Sequence, residues 1–453
     1  MLGLVSAPIL TRYLGVVNFG RLSLVTSLMA IVAAVTEGGL GALGTRELAV
    51  REGADRVALM RDLVGIRLGL TLVGIAAATV IAAASHYGPV LVAGTAVAGV
   101  ALLVYVLQAI LSLPLAVELR VGWITVIDLL RQASYLLVVV TLVVLGSGLV
   151  PLLGAAVPGG LVGLFVTMRL VRGRVPLRPA FDRSRWRSIL RDTLPIAAAG
   201  AIYSVYFRVV MLLMAVLASD AEVGYFALSF RITEVAILLP GMLIGTMLPL
   251  YSRAARDDQV RLAFAFRLTS EVAVVGGVGL TMLGVVGAPL AIAFLTGSGT
   301  GPAVEVVRIQ SLALTAVFVN VVLGTTFVAL RRNRTMMLTS SSALLVTVVG
   351  VLALAGAHGA QGGAVAAVIG EWTLLAVGVF ALHRARPDLR VSLRTLPRAL
   401  LAAGAGLAAA KLVHVPTVPN VGAVVIAAGV FAGLLLLTRA VPRELTDAVR
   451  GRA

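Results

Sequence analysis

Apolar residues run in blocks of about twenty along nearly the whole chain, broken by short polar or glycine-bearing punctuation. A block of that length crosses a bilayer as a helix. The pattern predicts about fourteen such spans, the first over 1–14, the second over 21–40 and the last two over 398–413 and 420–438. A β-barrel would instead show short segments of alternating polarity. Continuous runs such as ALLVTVVGVLALAG, Ala343–Gly356, are incompatible with that alternation. The fold class that follows is an all-α integral membrane protein with many spans.

The punctuation between blocks is unequal. Alternate connections, beginning with Leu43–Arg67 and ending with the tail from Arg439, hold 30 of the 37 Lys plus Arg residues. The intervening connections hold only Arg12, Arg21 and Lys411. Asymmetry of this kind orients a polytopic protein with its basic loops inside, which puts both termini in the cytoplasm of a plasma-membrane protein. The longest polar piece is Val171–Asp192 on the basic side, VRGRVPLRPAFDRSRWRSILRD.

Composition agrees with this pattern. Of 453 residues, 60% are hydrophobic and only 13% charged, with a mean hydropathy of +1.05. The formal net charge of +17 would suit a nucleic-acid binder, but its placement is topological, so the bilayer and its anionic lipids are the expected partner and nucleic acid is not. Cysteine is absent, which removes disulfides, thiol nucleophiles and thiolate metal sites. His86, His358, His383 and His414 fall in loops with no metal-helix spacing, and no metal or cofactor is expected. Gly38–Gly44, GGLGALG, has no preceding strand to make it a phosphate cradle, and in a membrane small residues serve close helix packing. No external loop is long enough to house ordinary enzyme chemistry.

One stretch occurs twice. Phe19 and Gly20 align with Val223 and Gly224 at an offset of 204, Leu24 then meets Leu228, and Gly41 meets Gly245. Each copy covers about six spans. Six is even, so the copies are parallel repeats related by an axis along the membrane normal. The predicted organisation is an N-lobe over 1–170, a basic cytoplasmic linker over 171–192, a C-lobe over 193–383, and a loop, two extra spans and a basic tail over 384–453. Two such lobes are what an alternating-access transporter needs. The offset also aligns Met1 with Val205, whereas the second copy's span begins near Thr193. The first helix is therefore expected to be short, or the natural reading frame to begin upstream.

Specific motifs sharpen this reading. TRYLGVVNFGRLSL (Thr11–Leu24), EGGLGALGTRE (Glu37–Glu47), AEVGYFALSFR (Ala221–Arg231) and LPGMLIGTMLPLYSR (Leu239–Arg253) resemble signature stretches of the oligosaccharide flippase family. This O-antigen-flippase-like family of polysaccharide exporters belongs to the multidrug/oligosaccharidyl-lipid/polysaccharide (MOP) exporter superfamily. The resemblance implies flipping of an undecaprenyl-pyrophosphate-linked oligosaccharide to the outer leaflet, with other polysaccharide-assembly membrane proteins as partners. Relatives often carry an Asp where Val210 stands in YFRVVM, Tyr206–Met211, so ion coupling through that carboxylate is not expected here.

Charges inside the spans are the candidate site, because each is costly unless it faces a cavity or a partner. Asp128 with Arg131, Arg231 with Glu234, and Glu305 with Arg308 stand i,i+3, and Arg267 with Glu271 stands i,i+4, so local pairing is the expectation for these. Arg208, Glu371 and Glu37 have no opposite charge at helical spacing. Arg208, Arg131, Arg231 and Arg308 are the candidates for a pyrophosphate. Glu371, Glu234, Glu37 and Asp128 are the candidates for ion coupling or charge pairing. The alternative functions are a multidrug or cation antiporter, a lipid II flippase and, in a different class, a membrane glycan polymerase.

Overall fold

The computed structural model describes residues 2–85, 88–172, 179–180, 182–297, 301–413 and 421–438. His86, His414, linker positions 173–178 and the basic tail from Arg439 lie outside the described residues. All the regular structure among the described residues is helical. It divides into two compact units, Met1–Arg208 and Val209–Ala453.

Unit 1 begins with α1 (Leu2–Glu37), α2 (Leu40–Val50), α3 (Gly53–Ala84) and α4 (Pro89–Leu111). It continues with α5 (Leu113–Val117), α6 (Val121–Val144), α7 (Leu149–Leu153), α8 (Ala156–Leu170) and most of α9 (Arg183–Leu217). α1 is two helices joined at Gly15, whose φ of 69° and ψ of 175° leave the helical region. No heavy atom would crowd a Cβ there, so the positive φ alone calls for glycine. α4 is central, packed against α3, α8 and α1. Close approach depends on small residues: a Cβ on Gly159 of α8 would sit 2.7 Å from the Arg131 carbonyl oxygen of α6. The core beside α2 and α3 includes Leu40, Leu48, Leu63 and Ile66, with Trp186 packed against it.

Unit 2 contains the rest of α9, then α10 (Asp220–Gly245), α11 (Leu248–Asp257), α12 (Gln259–Thr296), α13 (Gly301–Ser311) and α14 (Leu314–Ala329). It ends with α15 (Asn333–Ala385), α16 (Leu396–Val413) and α17 (Val421–Leu437). α12 is the hub and meets α13, α14, α16 and α17. The last two helices pack on it through alanines such as Ala399, Ala402, Ala423 and Ala427. α15 reverses at Gly359, where φ is 52°. The return is tight: a Cβ on Gly350 would lie 3.1 Å from that of Ala366, and the Glu222 carboxylate accepts a hydrogen bond from the Ala360 amide at 2.6 Å.

Among the described residues ten helices are long and apolar enough to cross a membrane, or eleven when α13 and α14, bent by 43°, count as one span. Divided at Gly15 and Gly359, and with the 17-residue α17 added, they reach the fourteen that the hydrophobic pattern implies. The basic connections differ from the expectation of loops. Leu43–Arg67 is helical apart from Arg51 and Glu52, and α9 begins inside the linker at Arg183. A change from apolar to charged residues ends a hydrophobic run, but it does not end a helix. Without Gly, Pro or a cap the hydrogen-bond ladder continues into water.

Candidate functional site

In unit 1 the backbone places charged groups at two points. α6 carries Asp128 and Arg131 one turn apart, and the Arg131 guanidinium donates to Asp128 Oδ1 at 3.0 Å. Its Cζ also lies 4.9 Å from the ring centroid of Tyr105 on α4. Among the described residues Nε of Arg131 is buried with no hydrogen-bond partner, as is Nε of Arg67. The Arg131 guanidinium is thus held by a carboxylate on one edge and a ring on one face, with Nε left as a donor.

The second point is Glu37, at the end of α1. Sequence spacing leaves this carboxylate alone, and the tertiary structure corrects that. Arg67 of α3, nearly buried, forms a short ion pair with it. Arg67 also donates to the Thr36 carbonyl at 3.0 Å. Glu37 in turn accepts from the Gly41 amide at 3.1 Å. The glycine-rich run therefore spends its free amide on the chain's own carboxylate. Gly38 and Gly39 supply the left-handed turn between α1 and α2, and Gly44 lets α2 approach Leu63 and Leu113. A further charge that sequence reasoning passed over is Asp62, its side chain 4% exposed, with Arg185 of α9 at 3.5 Å. Asp62 and Arg67 both lie in a basic connection that reads as solvated, and no periodicity marks them as buried.

Arg208 is half-buried in α9, with its guanidinium 5.3 Å from the ring centroid of the adjacent Phe207.

In unit 2 two of the expected local pairs form. Arg231 donates to Glu234 at 3.1 Å on α10, and Arg308 to Glu305 at 2.5 Å on α13. The pair expected between Arg267 and Glu271 does not form. Glu271 accepts from the Ser392 hydroxyl at 2.7 Å, and Arg267 lies 5.6 Å from the Phe264 ring centroid. The loop after α15 reaches Glu271 before the neighbouring arginine does. Glu371 on α15 accepts from the Asn320 side chain on α14 at 2.9 Å. Asn320, Ser229 and Gln310, the last two joined at 2.5 Å, are polar members of the span packing that charge counting alone does not find. Arg231, Arg308 and Glu371 stand on helices that pack on one another, yet each hydrogen bonds to its own neighbour.

Outside the spans, hydrogen bonding to Arg386 holds the Asp388 carboxyl below the usual carboxylate range. Hydrogen bonding to Arg46, with help from Arg51, does the same to Glu47. Among the described residues no group of three His, Asp or Glu side chains is placed to hold a metal ion.

The fold has solved counterparts. A lipid II flippase, MurJ, in an inward closed conformation matches over 98% of this chain and 97% of its own, with a TM-score of 0.76 at 13% identity. An inward-facing multidrug resistance MATE family transporter of the MOP superfamily matches over 84% of this chain and 97% of its own, with a TM-score of 0.66 at 17% identity. A MOP superfamily transporter from Pyrococcus furiosus matches over 84% and 90%, with a TM-score of 0.59 at 16% identity. At such identities the likeness is one of fold. Among curated proteins none matches the sequence. A family model described as polysaccharide biosynthesis protein matches residues 1–255, the unit 1 helices together with α10 and most of α11. With more than half its length matched in this way, and with a multi-span transporter fold of the MurJ and MATE kind, the chain belongs to the polysaccharide biosynthesis protein family.

Proposed function

We propose that the chain is an alternating-access flippase. It carries a polyprenyl-pyrophosphate-linked oligosaccharide from the cytoplasmic to the outer leaflet of the plasma membrane, for cell-surface polysaccharide synthesis, without altering it chemically. The organisation proposed is two parallel six-span lobes, 1–170 and 193–383, joined by the linker 171–192, with both termini cytoplasmic.

The observation that carries this reading is Arg131, a guanidinium in a membrane span with a buried, unspent Nε donor. A pyrophosphate crossing a low-dielectric region needs its charge stabilised in transit. Arg suits that task because it stays protonated and its planar fork holds phosphate oxygens in pairs. Family membership supports a polysaccharide precursor as the cargo. Arg208 is the second arginine proposed to meet the pyrophosphate. Arg231 and Arg308 follow, each ion-paired one turn away with Glu234 and Glu305 as Arg131 is with Asp128. Glu371, Glu37 and Asp128 are proposed as charge partners that tune the site. A lipid II substrate is the second reading, favoured by the likeness to MurJ along nearly the whole chain. The two readings share the lipid pyrophosphate and differ in the glycan.

The test is complementation of strains lacking an oligosaccharide flippase or a lipid II flippase. Arg131→Gln and Arg208→Gln are expected to abolish complementation while the protein accumulates in the membrane. Arg208→Lys, which keeps the charge but loses the fork, is expected to be impaired. Normal complementation by both Gln variants sinks the anion-carrying site, and rescue of only the lipid II strain selects the second reading. For orientation, a cysteine at Ser188 should stay unlabelled by an impermeant reagent on intact cells, and one at Ala357 should react. The reverse pattern overturns the assigned topology.

A further inference from the structure

We propose that unit 2 binds the phosphoethanolamine headgroup of a membrane phospholipid in the cleft along α11. α10 and α12 are long apolar helices of spanning length, and α11 is the ten-residue helix between their ends. Its sequence, LPLYSRAARD, buries Tyr251 and Ala254 against the core. A short helix with one apolar face, set between two spans, belongs at the level of the headgroups.

The other side of α11 is not covered. A cleft of about 500 Å³ follows it, with Pro249 and Leu250 at one end and Arg253, Asp257, Asp258 and Arg261 at the other. Residues 249, 253 and 257 recur every four positions along α11, and past the extended Asp258 the cleft continues to Arg261 in the first turn of α12, from an apolar end beside α10 to a charged one. This gradient matches an amphiphile, with glycerol and upper acyl carbons at Leu250 and a polar head at Arg253 and Arg261.

The charges identify the head. Asp258 is already used: its Oδ1 accepts the Arg261 amide at 2.9 Å and caps α12. The side chains of Arg253, Arg261 and Asp257 form no ion pair and no hydrogen bond among the described residues, although Arg253 and Asp257 stand i,i+4. Two unspent guanidiniums and one unspent carboxylate, in one cleft, complement a ligand with one phosphodiester and one primary ammonium. The guanidiniums take the phosphate oxygens, and Asp257 accepts from the ammonium. Phosphatidylglycerol offers Asp257 only neutral hydroxyl donors, which match a carboxylate less strongly than an ammonium does. Phosphatidylcholine offers a methylated cation with no N–H to donate. General attraction of a basic surface for anionic lipid predicts the opposite order, with phosphatidylglycerol first.

Native mass spectrometry of the delipidated full chain, titrated with phosphatidylethanolamine, phosphatidylglycerol and phosphatidylcholine of identical acyl chains, tests this order. Phosphatidylethanolamine should be retained about fivefold more than either of the others, the scale of one or two exposed ionic contacts. Asp257→Asn should lower phosphatidylethanolamine to the phosphatidylglycerol level and leave phosphatidylglycerol unchanged. Arg253→Gln with Arg261→Gln should abolish the preference altogether, and Asp257→Glu should keep it. Equal retention of the three lipids by the unaltered protein, or phosphatidylglycerol in first place, overturns the proposal without recourse to any variant. So does full retention of phosphatidylethanolamine by the double arginine variant. These readouts involve no transport, so they stand or fall apart from the flippase reading.

Discussion

The stretch α1–α2–α3 in unit 1 and the stretch α10–α11–α12 in unit 2 follow the same order of long helix, short helix, long helix. Adding 204 to the bounds of α3 gives 257–288, and α12 runs from Gln259 to Thr296. The same order of helices is held by different chemistry in each. Glu37 has Gly241 as its counterpart, Arg67 has Glu271, and Asp62 has Phe266. Unit 1 therefore joins its helices with an ion pair and a buried carboxylate. At the equivalent places unit 2 uses a fully buried phenylalanine and a hydroxyl-to-carboxylate bond from Ser392. The turns differ as well. Gly38 and Gly39 have positive φ, whereas Thr246 and Met247 remain in the right-handed region and merely interrupt the helix. Two stretches with the same order of helices thus meet their polar groups differently, each as its own neighbours allow.

The sharpest way to break this comparison is Arg67→Leu. Removing a nearly buried cation strands the Glu37 carboxylate and the Thr36 carbonyl, and a loss of about 3 kcal/mol is expected, at the low end for buried pairs because Glu37 is partly exposed. Glu271→Leu, at the equivalent place, should cost only about 1 kcal/mol, the scale of one neutral hydrogen-bond partner. Thermal unfolding of the purified protein in one detergent reads both, and a larger effect at Glu271 would reverse the assignment.

The turns give the next largest contrast. Gly39→Ala forces a Cβ into a left-handed conformation at φ 74° and should cost about 1–2 kcal/mol. Gly245→Ala sits at a helical position with open space around a Cβ and should stabilise by about 0.5 kcal/mol. Equal unfolding midpoints for the two variants would mean that the turns do not differ in backbone strain.

Tyr251→Phe probes the apolar junction of unit 2 from within. The ring is fully buried, and burial pushes the phenol up to about 12 against the lowering effect of its hydrogen bond with Thr269. Losing only the hydroxyl should cost about 1 kcal/mol, and a cost near zero would show that packing alone holds α11 on α12.

The smallest effect concerns the loop that brings Ser392 to Glu271. Asp388 is anchored by Arg386, and its folded pKa is depressed. Its contribution is present above the unfolded carboxylate pKa of about 3.9 and is lost as pH falls through the folded value. At pH 7 Asp388→Asn should therefore cost about 0.5 kcal/mol, and near pH 2 it should cost nothing. The difference in unfolding midpoint between variant and parent at the two pH values measures it. A cost that grows on acidification would contradict the pairing.

The hydrophobic runs by themselves determine that the chain is a helical membrane protein of about fourteen spans, because backbone groups in hydrocarbon must be satisfied within the segment and the run length is set by the bilayer. The i,i+3 pairs Asp128–Arg131, Arg231–Glu234 and Glu305–Arg308 are legible for the same reason: helical spacing brings their ends together whatever surrounds them. Other features were decided only in three dimensions. Glu37 finds Arg67, Glu371 finds Asn320 and Glu271 finds Ser392 because packing sets residues 30, 51 and 121 positions apart side by side. Helix ends follow the same division. The sequence marks where apolar character stops, near Arg46 and Ser252, but the chain stays helical or turns according to which backbone amides and carbonyls find partners. At Gly41 that partner is a carboxylate from the preceding helix, and at Arg261 it is the capping Asp258.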